Sequence, residues 1–248
     1  MWFEMTALII SLLHLLTDVN LTMNDDLKKL VAEKAVDDYI RDGMTVGLGT
    51  GSTAYFVIKK VGELVRSGMK LKCVATSLQT ESIAKECGIT VVDVDDVDHI
   101  DVTIDGADEV DPKMQLIKGL GGALVREKIV ASASLAEVII VDESKMVPVL
   151  GTKTPVPVEV LRFGHTVSKR GLEKQGCEAV LRMKNGEVFI TDSGNYIYDC
   201  RFGKIENPFF LESRLNVVPG VIDNGLFLNT ATAVLTSSSD GTISRLGV

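Results

Sequence analysis

The run Gly47-Leu48-Gly49-Thr50-Gly51-Ser52-Thr53 joins a short apolar stretch, Thr45–Leu48, to a helical pattern that continues through Val65. A glycine-rich turn between a buried strand and a helix admits few architectures. Glycine permits positive φ and close backbone approach, so the chain turns sharply and leaves the helix N-terminus uncovered. The first N–H groups of such a helix lack partners and sit at the positive end of its dipole, and Ser52 and Thr53 add hydroxyl donors. This is an anion site in principle; a tight packing turn is the alternative reading. A Walker A loop needs Gly-Lys-Ser/Thr, and no lysine stands here. The dinucleotide fingerprint needs G-x-G-x-x-G, whereas the spacing is G-x-G-x-G. The next strand ends Ala75-Thr76-Ser77, without the carboxylate that would grip a ribose. The turn therefore points to a small phosphorylated metabolite and away from a nucleotide.

Strands and helices alternate around this turn. From Asp25 to about Arg41, Leu27, Leu30, Val31, Ala35 and Tyr39 recur at helical spacing, with Asn24 as N-cap and Gly43 as stop. Strands are expected at Thr45–Leu48, Leu71–Ala75, Thr90–Val94, Val102–Ile104 and Val138–Val141. Helices are expected after the glycine turn, over Gln79–Cys87 and over Ala123–Leu135, with a long loop after Ile104. Such alternation predicts a parallel sheet covered on both faces. The pattern changes near Pro155 and Pro157. Strand Val156–Leu161, helix Thr166–Gln175, strand Ala179–Arg182 and an Asn185-Gly186 hairpin before Val188–Ile190 read as a small α+β insert. Short strands at Leu226–Leu228 and Ala233–Leu235 and an Asp240-Gly241 turn complete the chain. The expected fold is α/β. A Rossmann-like parallel-sheet domain over residues 23–150 and 227–248 carries a smaller α+β domain over 151–226, and residues 1–22 form an N-terminal extension.

Composition narrows the function. The chain has 248 residues, a net charge of −8 and 46% hydrophobic residues, enough for a sizeable core. Wholesale disorder is excluded, and the acidic balance argues against a general nucleic-acid binder. Cys73, Cys87, Cys177 and Cys200 are far apart, and so are His14, His99 and His165. No metal-ligand spacing emerges, and reduced thiols in a reducing compartment are expected. The apolar run Ala7–Leu16 is shorter than the roughly 20 residues a membrane span needs. It also lacks the basic flank of a secretory signal. Residues 1–22 are read as an upstream extension or a misassigned start codon, with Met23 as the alternative start, rather than as a membrane-associating segment.

The densest chemistry follows the fourth expected strand. Asp105-Gly106-Ala107-Asp108-Glu109 stands at its carboxyl end, where open parallel sheets bind ligands. A small Gly-Ala turn lets Asp105 and Asp108 face one pocket, with an Asx-turn as the alternative. Lys118-Gly119-Leu120-Gly121-Gly122 then leads into a helix, a second anion-binding N-terminus with a cation beside it. Glu127 lies one turn into that helix. Lys145, just past the fifth strand, sits at the same edge of the sheet.

Taken together, GLGTGST at Gly47–Thr53, DGADE at Asp105–Glu109 and K-G-x-G-G-A-L-x-R-E at Lys118–Glu127 resemble ribose-5-phosphate isomerase of type A. Pro157-Val158-Glu159-Val160 and Pro219-Gly220-Val221 support the resemblance, which covers the chain from Met23 onward. It implies interconversion of ribose 5-phosphate and ribulose 5-phosphate through an enediolate, without metal or cofactor, in the non-oxidative pentose phosphate pathway. It also implies Asp105, Asp108, Lys118 and Glu127 as the catalytic group, with Glu127 the base. Thr50, Gly51, Ser52 and Thr53 with Gly119, Leu120 and Gly121 form the implied substrate cradle, and Lys28 and Lys145 are the implied phosphate-contacting lysines. Leu120 stands where many relatives have a third glycine. A cytoplasmic homodimer or homotetramer is implied, with a small sugar phosphate as partner and neither nucleic acid nor membrane. Two other readings are a sugar-phosphate deaminase or CoA-transferase-like enzyme on a related fold, and a non-catalytic phosphosugar sensor.

Overall fold

The computed structural model describes residues 25–247, so Asn24 and the extension over residues 1–22 lie outside the described residues. Helix α1, residues 25–39, buries Val31, Ala32, Ala35 and Val36 completely, the four-residue recurrence of one helical face. Strand β1 (Thr45–Leu48) leads into α2 (Ser52–Arg66), and β2 (Lys72–Ala75) into α3 (Leu78–Glu86). Strand β3 (Val102–Asp105) is buried at every position. Two short strands, β4 (Glu109–Val110) and β5 (Leu116–Ile117), occupy the stretch expected to be a long loop. Helix α4 (Leu124–Ser132) then precedes β6 (Glu137–Asp142).

The next strand and helix are β7 (Val156–Val160) and α5 (His165–Glu173). Strand β8 (Glu178–Leu181) follows, then the hairpin β9 (Met183–Lys184) and β10 (Glu187–Val188). Asn185 and Gly186 at its tip have φ of 55° and 83°, as a two-residue hairpin turn of the primed type requires. Strand β11 (Tyr196–Arg201), helix α6 (Pro208–Asn216) and strand β12 (Val221–Asn224) were not anticipated from the sequence. The chain ends through β13 (Leu226–Phe227), β14 (Ala233–Ser237) and β15 (Ile243–Gly247).

The principal sheet has the order β15-β14-β6-β3-β1-β2, parallel throughout except for β15. The expected strand at Thr90–Val94 is corrected: only Val91 forms a bridge, to Cys73, and Val94–Asp96 is a 3-10 turn capped by Asp93. A second, antiparallel sheet has the order β12-β7-β11-β8, all drawn from the stretch after Pro155. A third, small sheet, β13-β5-β4, stitches the returning chain to the segment before Lys118. The Lys118 N–H also donates to the Gly225 carbonyl at 2.9 Å. Strand β1 pairs with β2 on one side and β3 on the other, so the connections reverse direction there. That is the topological switch point, where open α/β sheets form a crevice at their carboxyl edge.

Candidate active site

The site starts with a packing constraint at the switch point. A side chain at Gly49 would place its Cβ 2.1 Å from Asp105 Oδ1 and 2.6 Å from the Asp105 Cα. Only glycine lets the turn after β1 lie against the end of β3. The contact is then used: Asp105 Oδ1 accepts the Thr50 N–H at 3.0 Å and the Gly106 N–H at 2.7 Å. Gly51, with φ of 116°, caps α2, and no side chain covers that helix N-terminus. Ser52 and Thr53, the first two residues of that helix, line the cleft. The Thr50 hydroxyl is engaged elsewhere, by Thr76, Ser77 and Thr80 at 2.7, 2.9 and 3.2 Å. Thr50 therefore lines the cleft with both its hydroxyl and its N–H already engaged, and its part is to hold the turn in place.

The opposite wall is built around one buried lysine. Lys118 is 2% exposed, and its Nζ donates to Asp105 Oδ2 at 2.8 Å and to the Gly106 carbonyl at 2.5 Å. It stands 3.7 Å from Glu127 Oε1 and 5.3 Å from the centre of the Phe227 ring. Burial works against the Lys118 charge, but Asp105 and Glu127 outweigh it and hold the ammonium above its usual range. Glu127 is the mirror case. Burial pushes its carboxyl up to about 8, against the pull of Lys118. Its Oε2 is buried and has no hydrogen-bond partner among the described residues. Behind this cluster Glu137, buried on β6, is also pushed up by burial and opposed by Lys118.

Asp108 accepts the Leu120 N–H on Oδ2 at 2.9 Å, and burial raises its carboxyl against that bond and the nearby Lys118, Lys145 and Arg182 charges. Gly119 and Gly122 adopt φ of 99° and 87° before α4, whose first turn also has no side-chain cap.

The sequence-derived residues fall into three groups. Thr50, Gly51, Ser52, Thr53, Asp108, Lys118, Gly119, Gly121, Glu127 and Lys145 line one cleft. Asp105 lies beneath it at 1% exposure, and Leu120 touches it through its backbone bond to Asp108. Lys28 is not among the lining residues; its Nζ bonds Asp25 Oδ1, 3.1 Å away on its own helix. Gly106 and Ala107 were missed as lining residues, although their place between two aspartates was a signal. A larger cavity, of about 380 Å³, lies between Val74, Val92, Ile129 and Arg126. It contains no lysine and no unpartnered buried carboxylate, so the chemistry belongs to the smaller cleft. Among the described residues no group of three or more His, Cys, Asp or Glu side chains is arranged to hold a metal ion, and no helix is long and apolar enough to cross a membrane.

Chemically, the cleft pairs a desolvated carboxylate with a fixed ammonium, between two uncapped helix N-termini. It is equipped to move a proton on carbon beside an oxygen that gains negative charge, in a substrate anchored by an anion. Comparison with known proteins bears on this reading. The family model described as ribose 5-phosphate isomerase A (phosphoriboisomerase A) matches residues 72–241. A ribose-5-phosphate isomerase A of Bacillus mycoides (strain KBAB4) is 46% identical over 217 residues, covering 87% of this chain and 97% of the relative. The solved ribose 5-phosphate isomerase of Plasmodium falciparum superposes with a TM-score of 0.88 at 44% identity, covering 90% of this chain and 99% of that one. The structure of ribose 5-phosphate isomerase A from Methanocaldococcus jannaschii gives a TM-score of 0.86 at 39% identity, with 91% and 100% covered.

Proposed function

The chain belongs to the ribose 5-phosphate isomerase A family and is an aldose–ketose isomerase, and from that premise we propose how its own residues divide the reaction. The substrate is a pentose 5-phosphate, interconverted between ribose and ribulose forms. Its phosphate sits on the N–H groups of Gly51, Ser52 and Thr53, with Lys145 nearby, where the α2 dipole favours an anion. This remote anchor aligns the sugar for reaction at C1 and C2.

Glu127 Oε2 takes the proton from C2 of the open-chain aldose. Charge then builds on the C1 oxygen, and the Lys118 ammonium stabilises it. A proton passes between the two oxygens, Glu127 returns its proton to C1, and a C2 ketone remains. Asp108, at the cleft wall, moves protons on the sugar oxygens, including those of ring opening. Asp105 has a different part. Both its oxygens are occupied, by two N–H groups and by Lys118, so it acts as a positioning residue that aims the ammonium.

One observation supports this division: Glu127, whose Oε2 is buried and unpartnered, lines the same cleft as Lys118. A carboxylate with a pKa close to the working pH is also the efficient choice for a general base. No step needs a metal or cofactor. We read residues 23–150 with 227–248 as the catalytic unit and 151–226 as the small unit. The chain is taken to act as a homodimer or homotetramer in the cytoplasm; its four unpaired cysteines suit a reducing compartment, and exposed Phe163, Val167 and Val217 suit an interface. The test is conversion of ribose 5-phosphate by the purified protein in excess chelator. Unimpaired ketose formation is expected; loss that a divalent ion restores would contradict the metal-free route.

A further inference from the structure

One guanidinium ties the second sheet to the cleft wall. Arg182 follows β8 directly, and its side chain is 11% exposed. Its Nε and Nη2 form a fork on the two Asp199 carboxylate oxygens, with Nε at 3.0 Å from Oδ2. Asp199 lies on β11, held opposite Val180 in the β8–β11 ladder, so the base of the fork is rigid. The remaining nitrogen, Nη1, donates to the Gly119 carbonyl at 2.9 Å and to the Leu120 carbonyl at 3.1 Å.

The Gly119 carbonyl and the Leu120 N–H belong to one peptide unit. Arg182 grips its oxygen, and its N–H donates to Asp108 Oδ2. We propose that Arg182 is a positioning residue for Asp108: it fixes and polarises the Gly119–Leu120 peptide, which in turn orients the Asp108 carboxyl toward the substrate. Hydrogen bonds in series strengthen one another, and a cation on the carbonyl makes the N–H a better donor. The Gly119 carbonyl also accepts the Gly122 N–H at 3.0 Å within its own turn, so Arg182 adds a charged donor to an oxygen the turn already engages, at a glycine whose φ of 99° few other residues adopt. Lysine cannot replace the arginine, since a point charge with tetrahedral donors does not match a carboxylate fork and two carbonyls together.

The inference rests on Asp108 handling protons in the reaction. The test is a double-mutant cycle of Arg182→Ala and Asp108→Asn, read as kcat and KM for ribose 5-phosphate, with Arg182→Lys beside it. In the wild-type background Arg182→Ala is expected to lower kcat roughly 10-fold with little change in KM, as coupled neighbours do, and Arg182→Lys not to restore it. In the Asp108→Asn background the same change should cost less than about 2-fold. Equal losses in both backgrounds, or an unchanged kcat in Arg182→Ala, overturn the proposal. Should Arg182→Ala fail to fold, Asp199→Asn releases the fork at constant size and must show the same coupling; additivity there overturns the proposal equally. An Asp108→Asn enzyme with wild-type rate refutes the underlying role of Asp108 instead.

Discussion

Replacing Lys118 with methionine changes the charge beside Glu127 while keeping a chain of similar length. The two groups stand 3.7 Å apart. At an effective dielectric constant near 20, a unit charge pair at that distance is worth about 4–5 kcal/mol, which corresponds to roughly three pK units. Glu127 already sits at about 8 with Lys118 in place. Without it the carboxyl climbs roughly three units further, and at neutral pH the ionised base becomes about 10³-fold scarcer. The overall rate also falls because the ammonium no longer faces the C1 oxygen, so the shape of the pH profile is the diagnostic. The assay is kcat/KM for ribose 5-phosphate from about pH 5.5 to 10, with the base-catalysed blank subtracted. The wild type should rise tenfold per pH unit and level off above about 8; Lys118→Met should still be climbing at the alkaline end. Breaking a buried ion pair costs about 3–5 kcal/mol, so rates are taken well below the variant's thermal midpoint. A Lys118→Met profile that levels off where the wild type does would refute the electrostatic coupling.

Two further perturbations separate binding from catalysis and from packing. Thr53→Ala keeps the backbone N–H but removes the hydroxyl, a further donor to the phosphate that acts alike on substrate and transition state, so KM should rise roughly 10- to 100-fold with kcat nearly unchanged, and inorganic phosphate should compete less well than with wild type; steady-state kinetics with added phosphate check this. Gly49→Ala puts a methyl group 2.1 Å from Asp105 Oδ1, so thermal stability should drop by about 1–3 kcal/mol and kcat should fall as Asp105 loses its aim on Lys118; denaturation and initial rates check this.

How much of this was legible follows from which physical signals are local. β1 and β3 could be read because strands buried on both faces are continuous apolar runs between glycines and charges. β4 and β5, two residues each, are too short to display any period. Val91 and Val92 look like strand residues, yet Asp93 accepts the Asp95 N–H and turns the chain away after a single bridge. For α6 the signal was present and unused: Asn207 caps the helix through Phe210 N–H at 3.1 Å, with Pro208 behind it. In the site, the glycine turn and the acidic motif marked the right loops, because special backbone and charge at a strand end are local features. The pairing of Asp105 with Lys118, 13 residues on, depends on the β13-β5 stitch and has no local signature. The same holds for Arg182, which arrives from another sheet.

The account's central claim is that one carboxylate carries the proton between C2 and C1. Its most direct measurement is the turnover of C2-deuterated ribose 5-phosphate by the wild type and by Glu127→Gln. The wild type should show a primary isotope effect on kcat below the alkaline plateau. Glu127→Gln, equal in shape but unable to accept a proton, should lose roughly 10²–10⁴-fold in kcat while KM stays within a few-fold. A Glu127→Gln enzyme that keeps near-wild-type kcat and the same isotope effect would contradict the claim and send the base elsewhere.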